Sequence, residues 1–249
     1  MKKIAQKKYI FAGGIALSVL VLLFGILSQA GFVFSGPYLV RGGELVIENA
    51  RPNSVVFVEN SRVGVIDDAG DATFTGIKPG SRSLIISHED AWPWIFEFES
   101  TSGESTIIQP LQVNIETDGA VLANPEDPLR KRAETELDAY KEPSRTQPLS
   151  RNQITVWIEG STIFAREGEE VRTILASKNP IRNILWYGER SDVIIVTTLN
   201  NVFALDIRKN QVQNFHPIYT GAAPEAVPDS TLSEKIFVRD VQQYFYISI

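Results

Sequence analysis

One long apolar run near the N-terminus, followed by many short alternating runs, sets the hydrophobic pattern of the chain. The run extends from Ile10 to Val33, and no charged residue occurs between Lys8 and Arg41. Hydrocarbon about 30 Å thick requires about 20 apolar residues in a helix. The pattern therefore predicts a transmembrane helix over residues 10–34, and the lipid bilayer is the first predicted partner.

The charges around this run predict its orientation. Four lysines precede it, and the other flank carries no cation until Arg41. Basic residues remain on the cytoplasmic side of a membrane. Residues 1–9 are thus predicted to be a cytoplasmic tail, and the rest of a single-pass membrane protein to be extracytoplasmic. The membrane-orienting residues are Lys2, Lys3, Lys7 and Lys8.

Two other interpretations of the apolar run stay open. Ser28-Gln29-Ala30 is an acceptable small-x-small cleavage site, so the run can also be a signal peptide. A signal peptide has an apolar region of about 7–15 residues, whereas this run is longer and continues through Phe32-Val33-Phe34. A buried core helix is the third interpretation, and the length and flanking charge of the run favour the membrane anchor over it.

Residues 36–116 read as short strands separated by turns rich in Gly, Pro and Asp. Six or seven strands at this spacing predict a small antiparallel β-sandwich. The alternation in Trp94–Glu99 indicates a strand with one buried face. The predicted strands are Glu44–Glu48, Ser54–Glu59, Ala72–Thr75, Ser81–Ser87, Trp94–Glu99 and Thr106–Ile115.

The order of these segments resembles a PEGA domain. The matching segments are Gly42–Ile47, Ala50–Asn60, Phe74–Gly80, Ser83–Ser87 and Trp92-Pro93-Trp94. The motif that names the family is degenerate, because Pro52-Asn53-Ser54-Val55 stands where Pro-Glu-Gly-Ala is expected. The resemblance implies a β-sandwich on a bacterial cell surface that serves as an accessory or spacer module, and it implies no activity.

Trp92 and Trp94 are the candidate binding surface of this domain. Two tryptophans that flank Pro93 can form a platform on which a ligand stacks. The alternative is that one ring packs into the core and the other lies across the surface.

Residues 117–151 are predicted to be a linker with a short helix over Leu129–Tyr140. Prolines bracket this run, and its apolar residues form one narrow stripe at helical spacing. The stripe consists of Leu129, Ala133, Leu137 and Tyr140.

Strand patterns return in residues 152–249. Asn183–Phe215, which contains the pair Leu205-Asp206, resembles one four-stranded blade of a WD40-like β-propeller, and Ile154–Leu175 resembles the last three strands of the blade before it. Propellers close with 4–8 blades, and about two fit here. The domain is therefore predicted to be a propeller-like antiparallel unit, whose open strands would allow self-association. Tyr244–Ile249 is expected to be a buried terminal strand or, if unpaired, an edge ready for pairing.

The composition of the chain excludes several kinds of catalytic site, metal site and partner. The chain has no cysteine, which excludes disulfides, thiolate catalysis and Cys-ligated zinc. Its net charge is −6, and about −10 remains on the exported part without the four lysines, which argues against a nucleic-acid partner. No hydrolase or nucleotide-binding motif occurs. His88-Glu89-Asp90 and Asp67–Asp71 can be read as metal sites, but polar turns explain both better. No cofactor and no metal are expected.

The sequence thus predicts a mainly β, membrane-anchored extracytoplasmic protein without enzymatic activity. Its β domains are expected to serve in binding or in cell-envelope structure, with envelope proteins or glycans as partners. One alternative is a surface carbohydrate hydrolase, which needs two carboxylates about 5–9 Å apart in a pocket. Another is a subunit of an envelope assembly that partners complete by β-pairing.

Overall fold

The computed structural model describes residues 17–139, 147–209, 212–232 and 234–249. It is a mainly β protein with several antiparallel sheets, which confirms the predicted class. The chain forms two compact units. The first consists of Met1–Ile86 and Glu97–Pro110, and the second of Ser87–Phe96 and Leu111–Ile249.

A helix, α1, covers residues 17–29, and a hairpin follows it directly. The hairpin pairs β1 (Phe32–Ser35) with β2 (Tyr38–Arg41). Within the predicted transmembrane helix, residues 30–34 are therefore not helical, which corrects the predicted bounds. Gly31 ends the helix because its φ of 80° lies in the left-handed region that glycine tolerates best. Apolar character alone does not distinguish a helix from a strand, so the sequence pattern did not show this change.

None of the helices among the described residues has both the length and the apolar character needed to cross a membrane.

Two sheets build the rest of the first unit, as expected for a β-sandwich. Buried side chains alternate along their strands: Leu45 and Ile47 in one sheet, Val56 and Val58 in the other. One sheet has the order β6-β3-β9, with β3 (Gly43–Ile47), β6 (Ala72–Ile77) and β9 (Ser105–Ile108). The other has the order β5-β4-β7-β8, with β4 (Val55–Val58), β5 (Ser61–Val65), β7 (Gly80–His88) and β8 (Ala91–Ser100).

One strand pair departs from the predicted antiparallel sandwich. β3 and β9 run parallel, with Leu45 opposite Thr106 and Ile47 opposite Ile108. The alternation of apolar residues predicts where a strand lies, but not the direction of its neighbour. The tip of the β7–β8 hairpin, residues 87–96, belongs to the second unit.

The second unit contains three four-stranded antiparallel sheets. The first joins β11 (Leu149–Arg151), β12 (Ile154–Glu159), β13 (Thr162–Glu167) and β14 (Glu170–Ala176) in chain order. The second joins β15 (Ile181–Trp186), β16 (Val193–Thr198), β17 (Asn201–Asp206) and β18 (Phe215–Thr220) in chain order. The third has the order β10-β21-β20-β19, with β10 (Gly119–Val121), β19 (Pro224–Pro228), β20 (Lys235–Asp240) and β21 (Gln243–Ser248).

The terminal strand is paired on both of its sides. β21 lies between β20 and β10, and its residues Tyr244 and Ile247 are buried. The third sheet therefore combines the first strand of the unit's main segment with its last three. The edge that an unpaired terminal strand would have offered is covered by β10.

The predicted linker contains regular structure. Its helix is confirmed as α2 (Pro128–Ala139); Tyr140 lies outside the described residues. Asp127 caps α2 by accepting a hydrogen bond from the Leu129 amide at 2.8 Å, and Pro128 stands at the first helical position, where proline is favoured. Residues 119–121 and 149–151, also assigned to the linker, form β10 and β11, because three-residue strands are too short to show alternation.

Helix α2 packs its apolar stripe on the third sheet. Ala133 and Leu137 are buried, and Leu129 is partly buried beside them. They pack against Leu122, Val227, Phe237 and Tyr244.

Candidate functional site

The most unusual surface of the described structure is α1, which is apolar on all sides and exposed. A helix that is apolar and exposed on all sides buries little that would stabilise it in water. Such a surface indicates contact with lipid or with another protein. The exposed large side chains are Leu17, Val19, Leu20, Val21, Leu22, Leu23, Phe24 and Ile26.

The β1–β2 hairpin extends this apolar surface. Phe34 is 50% exposed, and Tyr38 beside the turn is 71% exposed. Phe34 also stacks on Phe24 of α1, with 5.8 Å between the ring centroids and 14° between the ring planes. The N-terminal apolar surface therefore consists of α1 together with this hairpin.

Part of the predicted anchor cannot be placed on this surface. Ile10 and the residues up to 16 lie outside the described residues, as do the four predicted membrane-orienting lysines: Lys2, Lys3, Lys7 and Lys8. Their prediction from the sequence stands unchanged.

Trp92 and Trp94, the predicted binding surface, do not form an open platform. Trp94 is 0% exposed, and its ring stacks on Phe96 at 5.0 Å. Trp92 is half-buried, and its indole N–H has no acceptor among the described residues. A stacking platform requires exposed ring faces, so the packing alternative describes Trp94 better.

Trp94 is part of a buried polar cluster in the second unit. Its indole N–H donates to the Asp206 carboxylate at 3.0 Å, and the Arg208 guanidinium forms a two-pronged ion pair with the same carboxylate. The guanidinium carbon lies 4.9 Å from the ring centroids of both Trp94 and Phe96. The buried indole N–H of Trp94 thus has an acceptor, and the buried Asp206 carboxylate has donors.

Two further side chains complete the cluster. The Asn214 amide imitates a strand neighbour, since it accepts from the Ile95 N–H at 3.0 Å and donates to the Ile95 carbonyl at 2.6 Å. Asp192 lies 3.3 Å from Arg208 and 2.8 Å from Arg190. Burial alone would raise the pKa of Asp192, but the hydrogen bond and charge of Arg190, with the charge of Arg208, hold it below its usual value.

This cluster is suited to holding structure rather than to catalysis. The Asp206 carboxylate already accepts from the Trp94 indole, the Arg208 guanidinium and the Arg208 backbone N–H. A general base needs access to the proton of a substrate, and Asp206 is buried. The cluster fixes residues 94–96 against β17.

A small cleft of about 150 Å³ lies in the first unit, where α1 meets the sheet of β3 and β6. Its lining includes Gly31, Arg41, Glu44, Thr75 and Gly76. Glu44 is the one carboxylate that lines it, so this cleft lacks the carboxylate pair of a glycoside hydrolase.

The two segments that can be read as metal sites are turns. Asp67 accepts the backbone N–H groups of Ala69 and Asp71 at 2.9 and 3.0 Å, an Asx turn. The N–H of Asp90 donates to the ring of His88 at 3.1 Å in the β7–β8 turn. The described residues contain no group of three or more His, Cys, Asp or Glu placed to hold a metal ion.

His216 gives the second unit a distinct response to acid. It is 5% exposed, and burial lowers its pKa to about 4, against the opposing effect of Asp206. Between pH 4 and 6.5 the unfolded chain binds a proton that the folded chain does not. The contribution of neutral His216 to the free energy of unfolding is therefore expected to be fully present above pH 6.5. The free energy of unfolding should fall by up to about 3 kcal/mol as the pH drops to 4.

Urea unfolding at several pH values between 4 and 7 measures this loss. A His216→Gln variant should lose that part of the pH dependence, while His88→Gln serves as the matched control and should retain it. An identical pH profile for the wild type and His216→Gln would contradict the assignment.

No local sequence pattern indicates the partners of Asp206. The pair Leu205-Asp206 belongs to the predicted propeller blade, but Trp94 lies 112 residues away along the chain. A period of 2 or 3.6 residues does not connect positions so far apart in the chain.

No protein-family model matches the chain, and no curated protein matches it significantly. The resemblances to a PEGA domain and to propeller blades consequently stay predictions.

Proposed function

We propose that this chain is a non-enzymatic, membrane-anchored protein that holds two β units on the extracytoplasmic side of a cell membrane. The observation that carries the proposal is the exposure of α1, whose large side chains are apolar on every side. In water this exposure is unfavourable by about 25 cal/mol for each Å² of apolar surface. In hydrocarbon the same surface is favourable, and the helix satisfies its own backbone hydrogen bonds.

The sequence around α1 supports an anchor. The apolar run begins at Ile10, so residues 10–29 in one helix would be about 30 Å long at 1.5 Å per residue, which equals the hydrocarbon thickness. The four lysines before the run favour a cytoplasmic N-terminus. The units that follow are free of cysteine and carry net negative charge.

The displayed units fit the two family resemblances in part. Two sheets in the first unit support a PEGA-like β-sandwich, despite the parallel pairing of β3 with β9. Three four-stranded antiparallel sheets in the second unit support a propeller-like arrangement, although propellers typically have at least four. Accessory modules of these kinds favour binding or envelope structure, with proteins or glycans as partners.

Charges placed in α1 should release the protein from membranes. An aspartate near the centre of an inserted helix costs about 2.5–3.5 kcal/mol, so the double variant Leu20→Asp/Leu23→Asp is expected to insert poorly. The measurement is alkaline carbonate extraction of bacterial membranes, in which the wild-type chain should stay in the pellet and the variant should appear in the supernatant.

The matched control is Leu232→Asp/Val241→Asp, which changes two exposed apolar residues of the second unit in the same way. It should remain in the pellet. Extraction of the wild type and both variants alike would contradict the anchor. The intact mass of the membrane-bound protein also tests cleavage after Ala30, since an uncleaved anchor retains residues 1–30.

A further inference from the structure

We propose that the β1–β2 hairpin is a second membrane-contacting element, whose apolar tip inserts into the outer headgroup region of the bilayer beside α1. This inference rests on the anchor proposed above and adds a surface to it. The occupant of the surface is the phospholipid interface.

The position of the hairpin along α1 is set by one ring contact. Phe34 stacks on Phe24, which lies five residues before the end of the helix at residue 29. At 1.5 Å per residue, Phe24 is about 8 Å from that end. The ring of Phe34 therefore lies back along α1, at the depth of the Phe24 ring, because the stacking contact places the two rings side by side.

The side chains of the hairpin change character along its length. Phe34 is opposite Leu39, and Tyr38 beside the turn is the most exposed of the three. Arg41, the first charged residue after the apolar run, lies two residues beyond Leu39, or about 7 Å along the strand. An apolar tip with a cation about 7 Å above it fits the boundary between acyl chains and phosphate groups, where aromatic residues are enriched.

The backbone limits how deep this tip can go. β1 and β2 form a two-stranded sheet, and no third strand of the described structure pairs with either outer edge. Unpaired N–H and C=O groups are not tolerated in hydrocarbon, but they are hydrated at the headgroup level. Interfacial elements bury their apolar faces about 5–10 Å deep, and the ring of Phe34, about 8 Å back along α1, falls in that range while the strand backbone stays at the headgroup level.

The absence of cysteine allows a direct depth measurement. Single variants Tyr38→Cys, Leu22→Cys and Val171→Cys each carry one nitroxide spin label in the full chain. The proteins are reconstituted in vesicles of phosphatidylcholine and phosphatidylglycerol, and each label's collisions with oxygen and with a water-soluble nickel chelate are compared. Leu22 reports on α1, and Val171 is an exposed apolar residue of the second unit.

The label at position 38 is expected to be several-fold less accessible to the nickel chelate than the label at position 171. Its accessibility should lie between those of the labels at positions 171 and 22. A lipid-buried label at 22 with a label at 38 as accessible as that at 171 would overturn the hairpin proposal and leave the anchor intact. Water-like accessibility at 22 would overturn both. Strong spin–spin broadening at 38 would show that a second copy covers the hairpin, which also overturns the lipid assignment.

Discussion

Replacing Asp206 by alanine should lower the free energy of unfolding of the second unit by about 3 kcal/mol. Removing one partner of a buried ion pair costs about 3–5 kcal/mol, and the partial exposure of Arg208 favours the lower end. The change leaves the Trp94 indole N–H buried without its acceptor and removes the carboxylate that holds Arg208 over Trp94 and Phe96. Urea unfolding of the full chain in detergent, followed by near-ultraviolet circular dichroism, measures the loss.

A double-mutant cycle separates the Trp94 contact from the ion pair. Trp94→Phe keeps most of the ring and removes the N–H donor, and Asp206→Asn keeps the shape and removes the charge. Contacting residues in one network couple by about 0.5–3 kcal/mol. Additive effects would show that the hydrogen bond between them contributes nothing of its own. Glu170→Ala, which removes an exposed ion pair with Lys209, is the matched control and should change stability little.

The same residues show how far the sequence could predict the fold. Period-two alternation over Trp94–Glu99 indicated a strand with one buried face, and the structure buries Trp94 and Phe98 while Glu99 stays exposed. The apolar stripe of α2 was visible as well, because Ala133 and Leu137 recur at helical spacing. Both signals are local, since they depend on the 2- and 3.6-residue periods of strand and helix.

What the sequence did not show depends on contacts between distant segments. Three such contacts join residues far apart in the chain: the pairing of β9 with β3, the pairing of β10 with β21, and the hydrogen bond between Trp94 and Asp206. The hydrophobic period within a segment does not predict which distant segment pairs with it. The predicted end of α1 was wrong for a different reason. Residues 30–34 are as apolar as the helix, so hydrophobicity does not mark where the helix ends. The hairpin that follows needs only Gly31 and Gly36 at positive φ.

The attachment of α2 depends on a buried carboxylate, Asp229, which is 3% exposed. It accepts from the Tyr246 hydroxyl at 2.6 Å, from the Thr231 hydroxyl at 2.7 Å and from the Arg132 guanidinium of α2. Burial alone would raise the pKa of Asp229, but the hydrogen bonds of Tyr246 and Thr231 and the charge of Arg132 outweigh it and lower the pKa. The stabilisation from Asp229 is thus complete above its ordinary pKa and is lost as the pH falls through the lowered one.

Asp229→Ala is therefore expected to destabilise the docked helix by about 3 kcal/mol, because it leaves Arg132 without its buried partner. Amide hydrogen exchange should show the loss first in α2, since the helix can detach while the sheet beneath it stays paired. Glu126→Ala is the control: Glu126 pairs with Lys131 in solvent, and its removal should change stability by no more than about 0.5 kcal/mol. If exchange in α2 were unchanged in Asp229→Ala, the apolar stripe of Ala133 and Leu137 would be sufficient to hold the helix, and the buried carboxylate would serve only the turn at Thr231.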